Sequence, residues 1–250
     1  IFISINQYEM KIRITENQYG QLVEQSLKDR LKRKALEKLG VSWGKLQDLI
    51  SRLRKPTEKD FEFLTSLSGT KLRAVLKLVP GKDTVNLPDL YPVPLVGKVT
   101  KYINSCYGYR TATGTNRLHG GVDLDTTGLK SNQPLMAACS GVVSNAEEVG
   151  DCGGFIKINC NNGDSVGYCH LRVVNDNLIG LKVPKGFPIG VSGGGKDENL
   201  SGNSMGAHLH YITWKGNKKV NPITVISGGY SIPAGGKENR SGKFCDPTAK

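Results

Sequence analysis

Near residue 80 the side-chain pattern of this 250-residue chain changes period, and the change limits what each part can fold into. Before it, apolar residues recur at spacings of three to four, the mark of a helix with one apolar face. Leu22, Val23, Leu27, Leu31, Ala35 and Leu39 form such a stripe over residues 21–39, and Gly40 supplies a C-terminal stop. A second helix is expected over about 43–53. A third starts at the capping-box-like Thr57-Glu58-Lys59-Asp60 and ends near 67, and a fourth runs over 70–78 to Pro80-Gly81. Lys11 to Thr15 alternates as a short strand would. After Pro88, Pro92 and Pro94, glycines and β-branched residues dominate from Val96 onward. Residues 141–143, 155–158, 165–170 and 208–214 read as strands, with Asn161-Asn162-Gly163-Asp164 as a hairpin turn. The expected organisation is α+β: a small basic helical region over 1–85, a Pro-rich linker over 86–95, an antiparallel β domain over 96–228 and a tail over 229–250.

Composition removes several classes of function. No run of 18 or more apolar residues exists, so no membrane span is expected. The net charge of +12 favours encounter with polyanions. No recognition-helix motif or aromatic-basic stripe accompanies it, so nucleic acid is not the expected partner. Anionic cell-wall polymers or an acidic protein fit equally, as does a merely soluble surface. All six cysteines (106, 139, 152, 160, 169 and 245) lie beyond residue 100. An even count permits three disulfides, with 15 connectivities, and points to an oxidising, extracellular setting. Buried thiols are the bland alternative.

The chemistry-bearing residues are few. The chain has four histidines, 119, 170, 208 and 210, all in the β-rich part. His208-Leu209-His210 lies in a strand-like stretch, where alternation puts both imidazoles on one face. His119-Gly120-Gly121-Val122-Asp123 places an imidazole and a carboxylate four apart. Two adjacent glycines disfavour a helix there, so a turn leading into the strand Val122-Asp123-Leu124 is expected. Glycine also lets the backbone come close to a metal. Two histidines and one carboxylate with an open fourth position make a catalytic zinc arrangement.

The ordered motifs Tyr107-Gly108-Tyr109-Arg110, His119-x-Gly121-x-Asp123, Tyr168-Cys169-His170-Leu171, His208-Leu209-His210-Tyr211 and Val220-Asn221-Pro222 resemble those of lysostaphin-like (M23) peptidases. The resemblance covers about residues 96–225. It implies an antiparallel β-sheet groove of lysostaphin/LytM type, with Zn2+ held by His119, Asp123 and His210. It further implies that His170 and His208 handle protons and developing charge, without settling which of them is the general base. The implied substrate is bacterial peptidoglycan, outside the cell or in the periplasm. The helical region would then serve as a tether or a docking module, on cell-envelope proteins or on a phage tail in a virion-borne enzyme.

Three other readings compete. Cys169 beside His170 invites a thiol nucleophile, but alternation along a strand would point the two apart. An iron-binding triad of two histidines and a carboxylate usually spaces its first pair two apart, not four. A catalytically latent structural or regulatory module would be expected to have lost ligands, and all are present here. The stretch Gly193 to Gly206 ahead of His208 is longer and more polar than the family's, and is expected to border the cleft and shape substrate choice.

Overall fold

The computed structural model describes residues 2–4, 11–13, 16–52, 58–77, 103–110, 117–125, 134–196 and 198–222. They fall into two compact units, Ile1–Gln47 and Asp48–Lys250. The expected linker over 86–95 and the tail lie outside the described residues.

In the first unit β1 (Phe2–Ser4) pairs antiparallel with β2 (Lys11–Arg13). Helix α1 (Glu16–Lys38) ends as the glycine predicts. Gly40 has φ +67, and the Val41 N–H reaches back 2.9 Å to the Leu36 carbonyl. Leu36 and Val41 are both buried, which is the hydrophobic contact that accompanies this helix ending. Within the stripe Leu27 and Leu31 are 56% and 60% exposed, whereas Leu36, outside it, is buried.

Helix α2 (Trp43–Arg52) follows, and α3 (Glu58–Thr65) and α4 (Gly69–Leu76) belong to the second unit. Phe61, Leu64, Leu72 and Val75 are buried on them. Although the sequence groups these two helices with the N-terminal region, α3 packs on strand β12 and α4 on the short turn at Asp176–Leu178.

The other extended elements described in this unit are strands. They are β3 (Ile103–Ser105), β4 (Gly108–Arg110), β5 (Arg117–His119), β6 (Val122–Asp125), β7 (Pro134–Met136), β8 (Gly141–Val149), β9 (Gly153–Cys160), β10 (Asp164–Val174), β11 (Lys182–Val183), β12 (Pro188–Ser192), β13 (His208–Lys215) and β14 (Lys218–Val220). The main sheet runs β11-β8-β9-β10-β13-β6-β3, with β14 beside β13 and β7 beside β12, all pairs antiparallel. The β9–β10 hairpin turns at Asn161-Asn162-Gly163 as expected, with Gly163 at φ +87. One face is the core: Ile156, Ile158, Tyr168, Leu209 and Tyr211 are each 2% exposed or less. Their alternating neighbours face the other way, so β13 presents His208 and His210 on the face opposite Leu209 and Tyr211.

Strand β10 changes partner midway. Asp164 to Cys169 pair with β13, whereas Leu171 to Val174 pair with β12. The fork is a bulge against β9 between Tyr168 and Leu171, and His170 sits in it at φ +61. A bulge breaks strict alternation. The expectation that alternation alone separates Cys169 from His170 therefore fails locally, and the thiol-nucleophile reading falls for another reason: Cys169 is bonded to Cys152. A second disulfide joins Cys139 to Cys160 across the start of β8 and the end of β9, and Cys106 is disulfide-bonded as well. No described cysteine is a free thiol.

Candidate metal centre

Three strands bring the site together. His210 on β13 sits opposite Asp123 on β6, with His208 opposite Asp125 in the same ladder. His119 ends β5, which pairs with β4 through Gly108. The Gly120-Gly121 turn then folds the chain into β6, so His119 and Asp123 meet without a helix, as the glycine pair predicts.

His119 is oriented by what its far nitrogen does. The Nδ1–H of His119 donates to the Cys106 carbonyl at 2.6 Å, which leaves Nε2 for the site. That Nε2 lies 3.0 Å from Asp123 Oδ1 and 3.0 Å from His210 Nδ1, and His210 Nδ1 lies 2.7 Å from the same oxygen. Two nitrogen lone pairs and a carboxylate oxygen so close together repel unless a cation or shared protons join them. Tetrahedral zinc with bonds of roughly 2.0–2.1 Å would set its ligand atoms about 3.4 Å apart. The observed spacings are about 0.4 to 0.7 Å tighter, so the donor set suits that ion once the three side chains relax outward. Among the described residues this is the one His/Cys/Asp/Glu cluster with metal-binding geometry.

The glycines of the motif differ. A Cβ built on Gly121 would run into the Tyr211 carbonyl oxygen and lie 2.9 Å from Cε1 and 3.0 Å from Nε2 of His210. On Gly120 it would meet only the Lys219 side chain. Close approach to the cluster is thus a property of Gly121.

His170 and His208 complete the group. Their ring centroids are 4.7 Å apart, and His170 lies 6.0 Å from His210. His170 Nδ1–H donates to the Ser201 carbonyl at 2.8 Å, and His208 Nδ1–H to the Gly206 carbonyl at 2.7 Å. Carbonyls only accept, so in each neutral ring the proton stays on Nδ1 and Nε2 carries the lone pair. His208 Nε2 is 3.7 Å from Asp123 Oδ1.

The electrostatics match this use. Burial, helped by the neighbouring His208, pushes His170 down to about 4, so the ring is neutral near pH 7. Burial likewise lowers His210, against the pull of Asp123, and a neutral imidazole is the form that ligates. Burial by itself would raise the Asp123 carboxyl, but hydrogen bonds with His119 and His210 hold it well below the usual carboxylate range. The cluster stays reachable: the side chains of His208 and His210 are 18% and 16% exposed.

All five expected residues, His119, Asp123, His170, His208 and His210, therefore meet on one side of the sheet. Sequence reasoning did not find the carbonyls of Cys106, Ser201 and Gly206 that orient three of the rings, nor Ser204 beside His208. A backbone carbonyl leaves no residue-type signal. Ser201 and Gly206 belong to the loop after β12, whose far end packs on the start of β9: Gly154 N–H donates to the Leu200 carbonyl at 2.7 Å and Asn203 N–H to the Asp151 carbonyl at 2.8 Å.

The chain is 32% identical over 114 residues to an "Uncharacterized metalloprotease" of Buchnera aphidicola subsp. Baizongia pistaciae (strain Bp), an alignment covering 46% of this chain and 28% of that protein. The chain thus spans little more than a quarter of that curated relative's length. Among solved structures it is similar to the catalytic domain of the antimicrobial peptidase lysostaphin from Staphylococcus simulans, with 25% identity, 52% of this chain and 96% of that one covered, and a TM-score of 0.43. It is also similar to a zinc-containing peptidase from Vibrio cholerae, with 24% identity, 48% and 35% covered, and a TM-score of 0.39. Residues 117–222 match the family model described as Peptidase family M23, and the matched segment holds all five residues of the cluster. The segment 117–222, which carries the whole cluster, is thus similar to peptidase family M23.

Proposed function

We propose that this chain is a zinc-dependent endopeptidase that hydrolyses peptide bonds of bacterial peptidoglycan. The observation that carries the reading is the convergence of His119 Nε2, Asp123 Oδ1 and His210 Nδ1 beside two further imidazoles, each with Nδ1 committed to a carbonyl. His119, Asp123 and His210 would hold the ion. Bound there, zinc supplies Lewis acidity toward a water and toward the carbonyl under attack.

The chain's own residues supply the proton handling. With the proton held on Nδ1, His170 and His208 each turn Nε2 toward the site, so either can take the proton of the attacking water there. The ring that has taken it becomes an N–H donor at Nε2, able to stabilise negative charge on the former carbonyl oxygen or to protonate the leaving amine. The carbonyls of Ser201 and Gly206 hold the two rings in register throughout. Peptidoglycan as substrate follows from the motif resemblance, and the disulfides fit work outside the cytoplasm. No described helix is long and apolar enough to cross a membrane. The helical N-terminal region is the docking element in this reading, on cell-envelope proteins or on a phage tail carried in the virion.

The test is digestion of purified Gram-negative and Gram-positive walls, with mass analysis of the fragments with and without a chelator. Peptide fragments released without chelator and lost with it are expected, and their masses identify the bond. No fragment from either wall would overturn the enzymatic reading in favour of a latent module.

A further inference from the structure

We propose that Ser204 is a positioning residue for the reaction, closing the neck of the 193–207 loop and fixing the ring of His208. The inference rests on the peptidase reading for its activity arm alone. Ser204 is 8% exposed, and its hydroxyl lies where the two ends of the loop meet. Its oxygen is 2.7 Å from the Gly194 carbonyl, 2.9 Å from the Gly206 carbonyl and 3.2 Å from His208 Nδ1, and the Gly206 N–H approaches at 3.4 Å.

A hydroxyl has one proton to give. The Gly194 carbonyl is the nearest acceptor and takes it, which ties the loop's entry to its exit. What remains toward His208 is then the Gly206 carbonyl at 2.7 Å and the serine lone pairs at 3.2 Å. Both accept, so both hold the His208 proton on Nδ1 and keep the lone pair on Nε2. The crossing is tight: Gly194 is at φ +89, and a Cβ there would lie 3.0 Å from both the Ser204 hydroxyl and the His208 carbonyl oxygen. The same contacts exclude a serine–histidine nucleophile. His208 Nδ1 carries its proton toward the serine, so it cannot remove one from it, and the hydroxyl is buried between carbonyls.

Loss of the hydroxyl should release the loop neck and with it the Gly206 backbone, whose N–H the serine accepts, so that the Gly206 carbonyl no longer holds the Nδ1 proton and the His208 ring populates its other tautomer while the metal ligands stay in place. The experiment compares the full chain with Ser204→Ala and Ser204→Thr. Zinc content, imidazole nitrogen spectra of zinc-free and zinc-loaded protein, and wall-digestion kinetics are measured on each. In Ser204→Ala the zinc content is expected to be unchanged, an Nε2–H form of His208 to appear in the spectrum, and kcat to fall about 10- to 100-fold with little change in KM. Ser204→Thr keeps the hydroxyl and should restore the spectrum and kcat. A His208 spectrum in Ser204→Ala identical to the parent's would overturn the proposal, as would a threonine variant as impaired as alanine. Should the parent chain release no wall fragments, the peptidase reading fails while the imidazole spectra still decide Ser204.

Discussion

Alanine at Gly121 and alanine at Gly120 should have opposite consequences although the residues are neighbours. Neither glycine has a positive φ, so alanine is torsionally allowed at both and the difference is steric. At Gly121 the methyl would overlap the Tyr211 carbonyl and press on the His210 ring at 2.9–3.0 Å. That ring is braced: its Nδ1 is bound to Asp123, and its strand is paired on both sides, with β10 and β6. Forcing one carbon into a packed site costs about 1–3 kcal/mol. Expressed at the ligand, that is roughly 5- to 140-fold weaker zinc binding, at about 1.4 kcal/mol per tenfold. At Gly120 the methyl meets the side chain of Lys219, its Nζ at 3.0 Å, which can swing aside. The cost there should stay within about 0.5 kcal/mol, as for ordinary surface changes. Zinc affinity is read by competition with a chromogenic chelator. If the two variants bind zinc within twofold of each other, the steric account of the motif's glycine is wrong.

Three further outcomes are expected. Alanine at His170 or at His208 should lower turnover about 100-fold or more while leaving zinc content intact; a site emptied by either change would put that residue among the ligands. Acid should weaken the fold partly through His170. Above pH 6.5 this ring is neutral folded or unfolded, but as pH falls toward 4 the unfolded chain takes a proton that the buried ring refuses, so stability drops by on the order of 3 kcal/mol. Urea unfolding of the zinc-free chain between pH 4.5 and 7 should show a flatter pH slope in His170→Gln, and parallel slopes would count against the assignment. Replacing Cys139 and Cys160 together by alanine removes a cross-link spanning 21 residues and should cost about 3 kcal/mol in denaturant unfolding.

What could be read from the sequence depended on local regularity. Periodicities of 3.6 and 2 gave the helices after residue 15, parts of β8, β9, β10 and β13 though not β11, β12 or β14, and the shared face of His208 and His210, because side-chain direction follows from backbone conformation within a few residues. The scarcity of histidine and the His119-x-Gly121-x-Asp123 spacing drew attention to His119, Asp123, His208 and His210, and the resemblance to lysostaphin-like peptidases added His170 and the expected roles. The glycine stop at Gly40 and the hairpin turn at Gly163 were legible because few other residues accept their φ values.

The tertiary structure decided what depends on partners distant in sequence. Which cysteines join is one such matter: the sequence left 15 connectivities open, and strand order placed Cys152 at Cys169 and Cys139 at Cys160. The change of partner along β10 that puts His170 in a bulge is another, since no residue type announces a bulge at a histidine. So is the packing of α3 and α4 on the sheet unit, and so are the carbonyls of Cys106, Ser201 and Gly206 that choose the tautomers of His119, His170 and His208. The sequence by itself singled out the side chains proposed to hold a metal and move protons. Only the fold decided which nitrogen each ring presents, because every residue carries the same carbonyl and its direction is set by chain paths that meet across the molecule.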